Sequence, residues 1–214
     1  MPRITPIAAK TDVPVEHHAV VDGVMQTFGR IRGPFSIMLH TPKLARHFLS
    51  VVNFFRDECV VAQKLRSLAA LTAAREREGA YVWAAQVEGA RKAGVPEATI
   101  DLIRAKGDPA GLPAEEREVV LYVRQLTRTH HVDQATFDAL LKRHNVQWIV
   151  ELTAAASYFG FLCGVVNAFE VSVPPGGDPL LQIGVNSSGK LIVAGHEDQP
   201  NRWQIGRASC RERV

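Results

Sequence analysis

Apolar residues recur at helical spacing across most of residues 13 to 171, with no sustained two-residue alternation. The pattern predicts one helix after another rather than a sheet. Thr41-Pro42 sets an N-cap hydroxyl before a proline at the first helical position. The helix it opens carries Leu44, Phe48, Val51 and Phe55 on one face, and that face is expected to be buried. A second helix is expected from Ala62 to about Glu78, with Leu65, Leu68 and Thr72 inward. A third is expected from about Ala80 to Ala93, stopping at Gly94, and a short fourth from Pro96 to near Lys106.

The breaker-rich run from Gly107 to Leu112 is a hinge candidate between two helical halves. Pro113 then opens a helix with Glu115, Glu116 and Glu118 near its start, where carboxylates favour the positive end of the dipole. Asp133 is placed to cap a helix bearing Phe137, Leu140 and Leu141, and a long segment runs from about Val146 to Val171. After Pro174-Pro175-Gly176-Gly177 the pattern dissolves, with a short strand conceivable over Lys190 to Ala194. Leu152 to Phe169 is uncharged and just reaches spanning length. It lacks basic flanks and lies among amphipathic helices that need a partner, which favours a buried central helix over a membrane span.

With 46% hydrophobic and 22% charged residues, the 214-residue chain has the composition of one globular domain or at most two small ones, which excludes disorder. The stretch from Gln204 to Val214 has neither apolar period nor cap; it resembles in-frame translation of a common sequencing adapter and is left out of the fold reasoning. It holds three arginines against one glutamate, so without it the formal charge of +3 falls to +1. No concentrated basic run remains, which argues against a nucleic-acid partner. Cys210 goes with that stretch, leaving Cys59 and Cys163, which form no CxxC. Few cysteines and no secretory segment after Met1 point to a reducing, cytoplasmic setting.

Certain motifs resemble the carboxymuconolactone decarboxylase family. They are the Leu65-Arg66-x-Leu68 helix, the turn Gly79-Ala80-Tyr81-Val82-Trp83, the exit at Ala90-x-x-x-Gly94-Val95, and the segment from Thr127-Arg128 to Phe137. The resemblance covers roughly residues 1 to 172, leaving 173 to 203 as an irregular tail. It implies an all-α, alkylhydroperoxidase-D-like bundle that associates as trimers or hexamers, works without a cofactor and acts on a small carboxylated substrate. Decarboxylating members carry Glu-Trp-x-x-His at this point, with a further Glu on the preceding helix. Here the Trp matches Trp83, but Val82, Gln86 and Ser67 occupy the two Glu positions and the His position, as Glu, His and earlier Glu respectively. Peroxidase members place a CxxC at the start of this helix, where this chain has no sulfur.

General acid and base work needs a group that titrates near the working pH, which Gln86 does not. Glu76, Glu78 and Glu88 are the nearby replacements. Glu78 would share a face with Val82 if the helix ran back through Gly79, and it is taken with Gln86 and Ser67 as the catalytic set. The competing reading of Arg75-Glu76-Arg77-Glu78 is a solvated helix end of alternating charge, and the cost of burying unpaired charge favours it. Tyr81 and Trp83 are candidates to line a pocket for a flat acid, although core packing suits Trp83 better. Arg66 and Arg75 are the nearest groups to hold a carboxylate, and Tyr158 and Asn167 are placed to face the same hollow.

The eight histidines offer no HxxxH spacing, so no metal site is expected. His131 and His144 are remote acids with nothing to choose between them. Three functions stay open: cofactor-free decarboxylation or a related proton transfer on a lactone or keto acid, a catalytically silent ligand-binding or assembly module, and, weakest, a peroxide reductase using Cys59 or Cys163.

Overall fold

The computed structural model describes residues 2 to 181 and the backbone of 183–185 and 191–193. The architecture is all-α. Its helices are α1 (His18–Phe28), α2 (Pro34–Met38), α3 (Pro42–Asp57), α4 (Gln63–Glu76), α5 (Ala80–Lys92), α6 (Glu97–Arg104), α7 (Ala114–Thr129), α8 (Gln134–Arg143) and α9 (Val146–Ala168). The strands β1 (Ile183–Val185) and β2 (Leu191–Val193) pair antiparallel, with Gly184 opposite Ile192. Of the strand expected over 190–194, residues 191–193 are seen. Lys190, Ala194 and the stretch 204–214 lie outside the described residues.

Helix α4 is the centre of the bundle, packed against α5, α7 and α9. Leu65, Leu68 and Thr72 are buried as the spacing required, and so are Ala69, Leu71, Ala73 and Ala74, so the helix is covered nearly all round. Helix α9 is long and apolar enough to cross a membrane. In this fold it packs on α2, α4, α5, α7 and α8, and it buries Trp148, Leu152, Leu162 and Cys163.

Three side chains cap helix starts, of which Asp133 was expected. Asp133 accepts from the Thr136 amide at 2.7 Å, Asn145 from the Trp148 amide at 2.9 Å, and Asp108 from the Ala110 amide at 3.0 Å. At Thr41 the proline does open α3, but the threonine side chain makes no cap bond. The face expected to be buried on α3 is half out of the core, with Leu44 43% and Val51 37% exposed while Ala45 and Leu49 are covered. Phe48 turns to stack on Phe161 of α9 with centroids 4.2 Å apart, so the aromatic residues rather than the stripe as a whole decide which way the helix faces.

Helix α4 stops at Glu76, two residues earlier than the pattern suggested. Glu78 takes φ +53°, and the Gly79 amide reaches back to the Ala74 carbonyl at 2.8 Å while that of Glu78 reaches Arg75. This is a Schellman stop with a glutamate at the left-handed position. The glycine is needed one residue later, because a Cβ on Gly79 would lie 2.3 Å from the Cys163 Sγ.

The hinge candidate is fastened to its neighbours. The Gly107 carbonyl accepts from Arg124 at 2.7 Å, and Pro109–Gly111 is a short 3₁₀ turn packed on α7. Part of the tail is pinned too, for Asp178 takes Arg91 at 2.6 Å and Arg104 at 2.9 Å.

Candidate functional site

The short turn between α4 and α5 makes them an antiparallel pair, which brings Ser67 and Ala70 of the one opposite Gln86 and Val82 of the other. Beside this pair lies a cavity of about 350 Å³, walled by α4, α5, the end of α3, the middle of α9 and the segment from Thr27 to Phe35. Six of the residues that line it are aromatic. Phe28 and Phe35 lie with ring centroids 5.1 Å apart, and Phe55 and Phe159 each stand 5.6 Å from Tyr158.

Ser67, Gln86, Tyr81, Arg66 and Tyr158 line this one cavity. Nothing adjacent in sequence joins α4, α5 and α9 there; the bundle does. The other three expected site residues lie elsewhere. Glu78 is exposed in the turn after α4, where the helix does not run back through Gly79, so it shares no face with Val82. Trp83 is fully buried on the other side of α5, with the Arg104 guanidinium 5.3 Å from its ring centroid. Asn167 is exposed and donates to the Arg77 carbonyl at 3.1 Å.

The reading of Arg75-Glu76-Arg77-Glu78 as a solvated run is corrected for its first half. Arg75 has no exposed surface and donates from Nε to the Arg104 carbonyl at 2.5 Å. Glu76, its side chain 3% exposed, takes two hydrogen bonds from Arg128 at 2.7 and 2.6 Å and has Arg124 at 3.5 Å and Lys106 at 3.7 Å. Neither lines the cavity. Burial of Glu76 is tolerated because cations surround it, whereas Arg75 keeps a single hydrogen bond and its two terminal nitrogens make none. Glu88 is exposed and pairs with Lys92.

The lining includes groups that periodicity gave no reason to choose, chiefly Arg32, Arg56 and Gln63. Arg32 stands before Gly33-Pro34, and that pair of breakers was the available sign of a built turn. No carboxylate, imidazole or thiol lines the cavity among the described residues. Its charge is carried by Arg32, Arg56 and Arg66, and its other ionisable groups are two phenols. Burial pushes the Tyr158 phenol well up, and its hydroxyl has no partner. Burial also raises Tyr81, against the pull of Arg32 and Arg30.

His131 and His144 lie away from the cavity, His144 stacking on Trp148 at 3.6 Å. Among the described residues no three His, Cys, Asp or Glu side chains gather as a metal site would require. Cys163 is enclosed, and burial pushes its thiol up to about 12; burial raises Cys59 as well. Protonated thiols are poor nucleophiles.

No family model matches this chain, and no curated protein does. Solved structures do match. A Cys-to-Ala variant of the debrominase Bmp8 in complex with 2,3,4-tribromopyrrole superposes with a TM-score of 0.66 at 17% identity, over 81% of this chain and 94% of that one. Apo Bmp8 matches equally well over 80% and 92%. The alkylhydroperoxidase AhpD core of an uncharacterized peroxidase-related protein from Ralstonia eutropha JMP134 gives a TM-score of 0.61 at 17% identity, over 79% and 90%. The likeness spans nearly the whole of those chains and establishes an alkylhydroperoxidase-D-like fold.

Proposed function

We propose that this protein binds a small, flat, carboxylated molecule in the cavity between α3, α4, α5 and α9. One observation carries the reading: six aromatic rings line the cavity, and every formal charge that lines it among the described residues is a guanidinium. A one-ring acid would stack on Phe and Tyr faces and meet a cation rather than a repelling carboxylate. The volume lies near the lower end of ligand sites, which suits a single small molecule. Bmp8, of the same fold, has been crystallised with a molecule of that size and flatness, 2,3,4-tribromopyrrole.

Binding without turnover is favoured over acid–base decarboxylation, because the lining lacks a group that titrates near neutral pH. The peroxide-reductase reading has the least support, as neither Cys59 nor Cys163 lines the cavity. A second reading is favoured by the unpartnered Tyr158 hydroxyl. In that reading the substrate's carbon–carboxylate bond breaks, CO2 leaves, and the electron pair left on carbon takes the phenolic proton, which water then restores.

One experiment decides between the two readings. Carboxylated lactones and keto acids are offered to the wild type and to Tyr158→Phe, with binding followed by calorimetry and CO2 release measured. Binding without CO2 release supports the first reading. Release that falls at least about 100-fold in Tyr158→Phe supports the second. No binding of any of them would overturn both.

A further inference from the structure

We propose that Arg32, beside the Tyr81 hydroxyl, takes the carboxylate of the ligand, while Arg56 and Arg66 are held by the protein itself. The inference rests on the cavity being a carboxylate site and goes on to say which end of the ligand lies where.

The three lining guanidiniums differ in what already holds them. Arg56 donates from Nε and Nη2 to both carboxylate oxygens of Asp57, at 2.9 and 3.0 Å, so its fork is filled by its sequence neighbour in a solvent-exposed pair. Arg66 donates from Nη1 to the Val61 carbonyl and, at 3.4 Å, to that of Cys59. The loop it fastens is fixed a second time by Glu151, which accepts from the Val60 amide at 2.7 Å. Arg66 is therefore a clamp on the α3–α4 connection. Arg32 lines the cavity and makes no hydrogen bond or ion pair among the described residues.

Its position is set by a rigid turn. Gly33 has φ +55°, and its carbonyl accepts from both the Ser36 hydroxyl at 2.7 Å and the Ser36 amide at 3.1 Å. Pro34 follows at the first turn of α2. A Cβ on Gly33 would fall 2.3 Å from Tyr81 Cε1 and 2.7 Å from its hydroxyl oxygen, so this backbone lies directly on the phenol. Arg32, the residue before it, lines the same cavity and is near enough to the Tyr81 phenol to act on it by its charge. The two donors suit the two oxygens of one carboxylate. Arg30, near enough to act on the Tyr81 phenol, adds to the positive potential.

Tyr81 lies at the turn end of the α4–α5 pair, and Gln63 opens α4 at the other end. A ligand with its carboxylate at Arg32 points its remaining polar substituent toward Ser67, Gln86 and Gln63, all neutral donors and acceptors.

The test uses trans-cinnamate and its neutral isostere cinnamamide as probes, titrated by calorimetry into the whole chain, with circular dichroism to show that each variant is folded. The wild type is expected to bind cinnamate about tenfold or more tightly than cinnamamide. Arg32→Gln is expected to bring that ratio to about one while leaving cinnamamide affinity within about twofold, and Arg32→Lys to keep part of the preference. Arg56→Gln is expected to leave the ratio unchanged. A preference that survives in Arg32→Gln overturns the assignment and leaves the cavity reading standing. A wild type that binds neither probe removes both.

Discussion

Helix α4 carries arginines to two places that share a helix and differ in everything around them. Toward α6 and α7, Arg75 is enclosed beside a carboxylate, Glu76, which gathers Arg128, Arg124 and Lys106, while the Arg104 carbonyl takes one donor of Arg75 and the Gly107 carbonyl one of Arg124. Toward α3 and α9, Arg66 is tied down by carbonyls, but the hollow it borders holds aromatic faces and an uncommitted Arg32. The first cluster is enclosed around one carboxylate. The second is open, and its Arg32 is exposed and makes no bond to the chain among the described residues. A cation is structural or ligand-binding according to its acceptors, and residue type alone does not say which.

The largest effect that tests this contrast is expected at Glu76. Glu76→Gln removes the one carboxylate about which Arg124, Arg128 and Lys106 assemble and leaves buried like charges facing one another. A loss of about 3–5 kcal/mol is expected in urea unfolding. A loss under about 1 kcal/mol would mean that this cluster is as open to water as the other.

Gly33→Ala comes next. It forces an alanine to positive φ and drives its methyl into the Tyr81 ring, so about 1–3 kcal/mol should be lost. Cinnamate affinity should fall with it, because the turn that presents Arg32 must shift. Retained affinity would detach that turn from the site.

The smallest effect is a pH dependence at Lys106. Burial lowers its pKa from 10.5, against the pull of Glu76. Between the lowered value and 10.5 the unfolded chain binds more protons than the folded one at this residue, so stability rises with pH across that window. Below it, both states are protonated and the folded one keeps the cost of the buried charge. The stability of the wild type relative to Lys106→Met should therefore increase as pH rises toward 10.5. A flat or falling difference in urea midpoints would show Lys106 to be solvated.

The helices were legible because each is a local matter. Pro42 and Asp133 act within one turn, and the run from Leu65 to Ala74 is apolar enough to be a core helix in any arrangement. The end of α4 was not legible. It depends on Gly79 meeting Cys163, 84 positions further on, and α9 has to be in place before that contact exists. The candidate site divides in the same way. Ser67, Tyr81 and Gln86 were chosen by the family resemblance and do line one cavity, whereas Glu78 is set apart by the stop of α4 and Asn167 faces outward.

Read by itself, the order of residues determined that this chain is a helical bundle built around an unusually apolar pair of helices, because helical periodicity and caps act over a few residues. Which side chains share a cavity, which arginines are already held, and that Arg32 stands beside Tyr81 were decided only when α4, α5, α9 and the turn at Gly33 packed together. Contact between residues distant in sequence is fixed by burial and shape, and neither is expressed within a single turn of chain.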